Sequence, residues 1–259
     1  MFAGDGIDGL ALCEPASVGL ILSDLPSGET RAPFDKAPNL RQFWAVAWSA
    51  LRDDGVAVLM ASNIRFAAQI IASEPAHYRY DLIWHKSIAG GFLNARHRPL
   101  RAHEFILVFC RQAGTYTPQM RQGLEPVHSN AGRGSSGENY NESGGAGAGR
   151  SRAGATDRFP WSVLSFASLG TRDPRRRHPQ QKPEDLMRWC VRSYSKPDDL
   201  VIDPFAGSGS VGRAAVAEGR RFVGWDSDPR FGGSKCVNRI SMVWTSLAMK
   251  QAVCGRRCG

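Results

Sequence analysis

The sequence predicts an α/β fold, a single domain with a mainly parallel sheet and helices on both of its faces. Short apolar runs alternate along the chain with longer segments of helical periodicity, which is the pattern typical of parallel sheets. A glycine-rich loop follows one of the apolar runs and opens a helix, as in nucleotide-binding α/β folds. A chain of 259 residues is long enough to bury one sizeable core.

The apolar runs give the strands, which we expect near residues 18–22, 56–61, 80–84, 105–109, 200–202 and 222–225. Helices are expected near residues 38–51, 64–72, 183–194, 209–218 and 229–240. The third of these helices has Pro183 at its start, where proline is tolerated. Its apolar residues Leu186, Trp189, Cys190 and Tyr194 fall at spacings that place them on one face.

Residues 200–229 form the most informative segment. An apolar strand runs into the loop Asp203-Pro204-Phe205-Ala206-Gly207-Ser208-Gly209, and a helix and a second strand ending in Asp226 follow. Glycines allow a ligand to approach the backbone closely, and an acid at the tip of the second strand can bind ribose hydroxyls. The loop lacks the G-x-G-x-x-G spacing, so the segment predicts an adenosine cofactor other than a dinucleotide.

At these residues the chain resembles the S-adenosylmethionine-dependent DNA amino-methyltransferases, whose cofactor motif is F-A-G-S-G. The resemblance implies a Rossmann-like domain, with Asp226 at the ribose and Asp228 as a weaker alternative. The segment from His178 to Pro183 resembles the family's H-P-x-Q-K-P motif, a second cofactor contact. The remaining cofactor-binding residues that the resemblance implies are Asp203, Phe205, Gly207, Ser208, Gly209, His178, Gln181 and Lys182.

The catalytic motif is expected at the end of the first strand, where Asp24-Leu25-Pro26-Ser27 resembles D-P-P-Y. An exocyclic amine needs acceptors for its N–H groups, which turn the nitrogen lone pair toward the methyl group. Asp24 can supply one acceptor and the carbonyl of Leu25 the second. Leu25 replaces a proline, and Ser27 replaces the aromatic residue that stacks on the flipped base. Either another ring, with Phe34 and Trp84 as candidates, takes its place, or base binding and catalysis are weaker.

A further stretch, from Tyr80 to Phe109, resembles the strand and loop that border the target pocket in adenine methyltransferases. It implies that Lys86, Asn94, Arg96 and His103 contact the substrate. Arginines cluster at 96, 98 and 101 and again at 172 and 175–177, and the formal net charge is +9. Such clusters can neutralise phosphates, so we expect DNA, duplex or partly unpaired, as the partner.

The order of the motifs corresponds to the β-type arrangement of this family. We expect a catalytic half at residues 1–118, a flexible Gly/Ser-rich insertion in the target-recognition region at 119–157, and a cofactor-binding half at 158–240. Residues 241–259 form a tail to which the sequence gives no role. The Gly/Ser composition of the insertion, GRGSSGENYNESGGAGAGRSRAG, is typical of chains that bury little.

The predicted function is methylation of adenine N6 in DNA. Cytosine N4 is the alternative base, a weakened methyltransferase-like DNA-binding subunit is the alternative class, and RNA or protein methylation is a third option. No apolar run is long enough to cross a bilayer, and the start lacks the features of a signal peptide. We expect a cytoplasmic protein of a bacterial or phage-infected cell, with reduced cysteines and no bound metal. A homodimer is a possible assembly.

Overall fold

A computed structural model describes residues 1–29, 35–126, 154–170, 173–174, 176 and 181–228. The chain divides into two compact units, one of Met1–Thr117 with the residues from Ser162 onward, and one of Pro118–Trp161. The predicted helix at 229–240, the tail at 241–259, most of the Gly/Ser-rich segment, Phe34 and His178 lie outside the described residues. No helix in the described part is long and apolar enough to span a bilayer.

The first unit contains an eight-stranded sheet in the order β1-β8-β7-β2-β3-β5-β4-β6 among the described residues. Five of the seven strand pairs are parallel, and only β5 runs antiparallel to its neighbours β3 and β4. This confirms the mainly parallel sheet. The strands are β1 (Phe2–Ala3), β2 (Val18–Asp24), β3 (Leu51–Ala61), β4 (Tyr78–Gly90), β5 (Arg101–Phe109), β6 (Val163–Phe166), β7 (Leu200–Asp203) and β8 (Arg221–Asp226).

Within the described ranges, five α-helices cover the two faces of this sheet: α1 (Gly6–Ala11), α2 (Leu40–Ala50), α3 (Ile64–Ser73), α4 (Glu184–Tyr194) and α5 (Ser210–Ala217). Helices α1, α2 and α3 share one buried cluster with one side of the strands, and α4 and α5 share another with the opposite side. Strand β2 is central, between β7 and β3, and its successive residues Leu20 and Ile21 enter opposite clusters. A ligand site is therefore expected at the carboxyl edge of the central strands.

Helix starts follow from local capping. The side chains of Asp5, Asn39 and Asn63 accept hydrogen bonds from backbone N–H groups in the first turns of α1, α2 and α3. Helix α5 begins differently, at Gly209 with a φ of +73° and no side-chain cap. Its first-turn N–H groups therefore remain available beside the glycine loop.

The unit of Pro118–Trp161 is held by a short antiparallel bridge between Arg121 and Arg158. The Leu124 amide donates to the Thr156 carbonyl at 2.9 Å. The Arg121 guanidinium lies over the Trp161 ring, 3.6 Å from its centroid, in a cation–π contact.

All six predicted strands and the four predicted helices that fall within the described residues are present. Strand β4 is longer than expected and forms a hairpin with β5. Strand β1, helix α1 and strand β6 were not predicted. They have two, six and four residues, too few to show a periodicity in the sequence.

Candidate functional site

A cavity of about 730 Å³ opens at the carboxyl edge of the sheet, where the neighbouring parallel strands β8, β7 and β2 end. Each of these three strands ends on an aspartate: Asp226, Asp203 and Asp24. All three aspartates line the cavity. The sheet register therefore brings together residues that lie far apart in the sequence, as expected for the strand ends of a parallel sheet.

Asp203 is the most buried of the three, with 2% of the residue exposed. One of its oxygens accepts hydrogen bonds from the Ser23 hydroxyl at 2.6 Å and the Phe205 amide at 3.1 Å. Burial raises the pKa of Asp203 to about 7, and the charges of Asp24 and Asp226 act in the same direction. This carboxyl therefore favours a positively charged ligand, which would stabilise its ionised form.

The glycine loop is held by Asp226. Its two oxygens accept hydrogen bonds from the amides of Gly207 and Asp228, each at 2.7 Å. Gly207 and Gly209 have φ values of +46° and +73°, which glycine adopts without strain. A carboxylate has about four lone-pair positions, so Asp226 can still accept from a ligand hydroxyl.

Asp24, whose side chain is 30% exposed, begins a chain of alternating charges that is buried at Lys182 and Glu104. The Lys182 ammonium lies 2.6 Å from Asp24 Oδ2 and 3.0 Å from Glu104 Oε2. Glu104 Oε1 accepts from the Lys86 ammonium at 2.6 Å. Four parts of the chain meet here: the end of β2, the residues before α4, and strands β5 and β4. The two carboxylates and two ammonium groups balance in charge.

Burial shifts the pKa values of these charged groups, and the ion pairs between them act against the shifts. Burial raises the pKa of Asp24, while Lys182 acts to lower it. The pKa of Glu104 would also rise on burial, but Lys182 and Lys86 outweigh that effect and lower it. Burial alone would lower the pKa of Lys182, but Asp24 and Glu104 raise it. The ammonium of Lys182 is thus retained and keeps a positive charge beside Asp24.

The cavity collects most of the predicted site residues: Asp24, Leu25, Pro26, Ser27, Trp84, Lys86, Gln181, Lys182, Asp203, Phe205, Gly207, Ser208 and Asp226 all line it. Gly209 caps helix α5 next to the loop. Trp84 forms part of the wall and is 3% exposed, and its indole N–H donates to the Phe166 carbonyl at 3.0 Å.

Three of the predicted substrate contacts lie elsewhere. Asn94, Arg96 and His103 are exposed on the β4–β5 hairpin and do not line the cavity. The His103 ring instead packs edge-on against Phe105.

Glu104 and Ser23 are site residues that sequence reasoning missed. Glu104 shares its side of β5 with the buried Ile106 and Val108, since alternate residues of a strand face the same way. An acid at an inward position of an apolar strand was the available signal. Ser23 gave none, because its role depends on the neighbouring strand β7.

Comparison with known proteins places these features in a family. Residues 35–232 match the family model of the N6/N4 methyltransferases, described as DNA methylase. The DNA adenine methyltransferase YhdJ of Escherichia coli is 48% identical over 68 residues, which cover 26% of this chain and 23% of that protein. The type II methyltransferase M.XycI of Xanthomonas campestris pv. cyanopsidis is 28% identical over 155 residues, 60% of this chain and 42% of that protein.

Among solved structures, the M1.HpyAVI–SAM complex superposes with a TM-score of 0.59 and 20% identity, over 89% of this chain and 93% of that one. The PvuII DNA methyltransferase, cytosine-N4-specific, gives a TM-score of 0.61 and 16% identity, over 89% and 82%. At these identities the structures show a shared fold. The chain matches less than half the length of the two curated relatives described above.

Proposed function

This chain belongs to the S-adenosylmethionine-dependent DNA N6/N4 amino-methyltransferase family, and from that premise we propose that it methylates the N6 amino group of adenine in DNA. The observation that carries the proposal is the row of three aspartates at one sheet edge. Two of them, Asp203 and Asp226, border the glycine loop, and the third, Asp24, faces the same cavity from the adjacent strand. A cofactor and an amine can therefore meet between them.

The residues at the loop fit S-adenosylmethionine. The cofactor, when bound, supplies an electrophilic methyl group on a positively charged sulfur. Burial raises the pKa of Asp203 to about 7, and a cationic ligand nearby would stabilise the ionised form of this carboxyl. Asp226 can bind ribose hydroxyls with its remaining lone pairs while holding Gly207 in place. Phe205, Ser208 and Gln181 complete the proposed binding surface.

Asp24 and the Leu25 carbonyl serve as acceptors for the two N–H groups of the amine. Their part is to orient the nitrogen lone pair, so they contribute mainly by positioning and by charge complementarity in the transition state. Lys182 favours the ionised form of Asp24, which is the form that accepts without donating. Lys182 shares its ammonium between Asp24 and Glu104, so a substrate amine competes with it for Asp24.

The aspartate at position 24 favours adenine over cytosine, since the cytosine-N4 enzymes of this family more often carry serine or threonine there. The relative YhdJ, named as an adenine methyltransferase, matches part of this chain at 48% identity. Cytosine N4 is the alternative product. In the proposed domain organisation the catalytic half is 1–118 and the cofactor-binding half 158–240.

A second candidate is a DNA-binding subunit with weakened catalysis. It is favoured by Ser27, which gives the cavity no ring in the place of the motif's aromatic residue. The ion pair of Asp24 with Lys182 favours it as well, because it occupies an oxygen of the proposed amine acceptor.

Nucleoside mass spectrometry of DNA from cells that express the chain tests the proposal. We expect N6-methyladenine with the wild type and none with Asp24→Ala, which removes the acceptor oxygens, while calorimetry shows that the variant still binds S-adenosylmethionine. Asp54→Ala is a matched control, because Asp54 also pairs with a lysine, Lys196 at 2.7 Å, but lies outside the cavity. N4-methylcytosine alone would show that the base is wrong, and no methylated base with intact cofactor binding would favour the second candidate.

A further inference from the structure

The hairpin of β4 and β5 ends in a loop with an unusual surface. Every residue from 87 to 100 is exposed, and two adjacent large apolar side chains, Phe92 and Leu93, are 80% and 97% exposed. Burial of such side chains in a partner removes a large apolar area from water. An apolar pair presented in this way indicates a binding surface.

The loop presents these side chains on an ordered backbone. Gly91, with a φ of +89°, starts a short 3₁₀ turn over Phe92–Asn94. The Asn94 and Ala95 amides donate back to the Gly91 and Phe92 carbonyls at 2.9 and 3.0 Å. At the base of the hairpin the Arg101 guanidinium donates to the Ser62 carbonyl at 2.8 Å, which ties the hairpin to the end of β3.

The charge around the tip selects the partner. Between Asp81 and Glu104 the sequence has no acidic residue, but it has Lys86, Arg96, Arg98 and Arg101. A patch that joins arginines to a projecting apolar tip fits a polyanion with an apolar interior, which is duplex DNA with its phosphates outside and its stacked bases inside. An acidic protein would match the charge of the arginines, but it does not present stacked apolar rings between two rows of negative charge.

The hairpin also borders the cavity. Ile88 and Gly90 near the end of β4, and Arg101 at the start of β5, line the same cavity as Asp24. The tip therefore projects from the rim through which a base would enter. This position is where a side chain could fill the gap that an extruded base leaves in the stack.

We propose that the Phe92–Leu93 tip is a wedge that inserts between base pairs of duplex DNA beside the extruded base, while Arg96 and Arg98 contact the flanking phosphates. The inference rests on the proposed function and deepens it, since it names the surface that opens the duplex. Apolar wedges of this kind unstack a base step and offset the cost with new contacts.

The test compares paired with unpaired DNA, which avoids any need to know the recognition sequence. Incorporation of labelled methyl groups is measured on native genomic DNA and on the same DNA denatured to single strands. The Phe92→Ala/Leu93→Ala variant should lose roughly 10- to 100-fold in kcat/KM on the duplex, because nothing would then offset the cost of unstacking a base step. Its loss on single strands should be much smaller. Leu12→Ala, at an exposed leucine outside the cavity, should change neither.

A binding measurement gives a second readout that does not depend on turnover. By fluorescence anisotropy, the double variant should bind a fully paired duplex more weakly, and the same duplex with one abasic site almost as well as wild type does. Equal losses on duplex and single strands would overturn the wedge and indicate stacking on single-stranded nucleic acid. Wild-type protein that neither binds nor methylates DNA would overturn both the wedge and the proposed function.

Discussion

The carboxyl of Asp203 carries a pH dependence that can be worked out in sign. Its pKa is about 7 in the folded protein because of burial, against an ordinary value of 3.8. Between these values the folded state holds a proton that the unfolded state has lost, so this group makes the free energy of unfolding fall as pH rises from about 4 to 7. The contribution is fully present below the lower value and is lost above the upper one.

Replacement of Asp203 by asparagine should remove that fall, because the amide oxygen can still accept from Ser23 and Phe205 without a charge. As the pH rises from 5 to 8, the free energy of unfolding of the variant should increase by roughly 1–4 kcal/mol relative to that of the wild type. Denaturant titrations at several pH values measure this difference. Parallel curves for the two proteins would show that Asp203 is already ionised at pH 5.

Glu104 is the residue on which the buried charge chain depends. Glu104→Gln leaves two ammonium groups, the buried Lys182 and the partly buried Lys86, with only Asp24 to balance them. We expect a loss of about 3–5 kcal/mol in free energy of unfolding, as for other broken buried pairs. Adding Lys86→Met restores the charge balance and should recover part of this loss.

The same substitution should lower the pKa of Asp24, because the Glu104 charge raises it in the wild type. Carboxyl carbon shifts in NMR titrations report this directly. The exposed pair of Asp54 and Lys196 provides the control, since Asp54→Asn should lower the free energy of unfolding by less than about 1 kcal/mol. A Glu104→Gln variant as stable as that control would mean that the buried charges relax or lose protons without cost.

A substitution at Ser27 tests whether the absence of an aromatic ring there limits the proposed reaction. A base must leave the stack to reach Asp24, and stacking in the pocket normally offsets part of that cost, by about 1–3 kcal/mol per base. Ser27→Tyr should therefore raise kcat/KM on duplex DNA more than on single strands. The ratio of the two rates, measured for both proteins, is the readout. If wild type is already fast on paired duplex and the tyrosine slows it, then serine is an adapted pocket residue.

At the scale of elements, the loop between β7 and α5 contains glycines with positive φ and lines the cavity. Gly209 and Gly219 offer a matched comparison, because both have a φ of +73° and only Gly209 adjoins the glycine loop. Alanine at either position should cost about 1–2 kcal/mol in free energy of unfolding.

Only the Gly209→Ala variant should also weaken the binding of S-adenosylmethionine. An added Cβ there would lie 3.1 Å from the Met1 sulfur, whereas at Gly219 it meets nothing within 4 Å. Calorimetry on the two variants separates the effects. Equal affinities would show that the loop tolerates a shift at its last residue.

Elements with a strong local signal could be predicted, and those that depend on long-range pairing could not. The glycine loop and the strand ending in Asp24 follow from a few adjacent residues. The alternation of buried and exposed positions along β4, by contrast, gives no sign of where its hairpin with β5 ends, because the exposed residues 87–90 belong to the strand only through their partners. The Asp24–Lys182–Glu104 contacts likewise join residues that only the folded sheet brings together.

For the whole molecule, the informative feature is which unit supplies the cavity. All the described residues that line it belong to the unit of Met1–Thr117 and the residues from Ser162 onward. The sequence predicted a flexible insertion in the target-recognition region at 119–157, within the span of the second unit. We propose that this unit selects the DNA sequence, while the first unit binds the cofactor and carries out the transfer.

Replacement of Pro118–Trp161 by a glycine–serine linker of the same length tests that division. The variant should bind S-adenosylmethionine with unchanged affinity in calorimetry, because the sheet and the cavity lie entirely in the first unit. Sites of methylation, mapped by sequencing genomic DNA after incubation with each protein, should then lose their shared sequence context, since base contacts and not phosphate contacts carry specificity. A variant that keeps the wild-type sites would place recognition in the first unit, and one that no longer binds the cofactor would show that the two units depend on each other for folding.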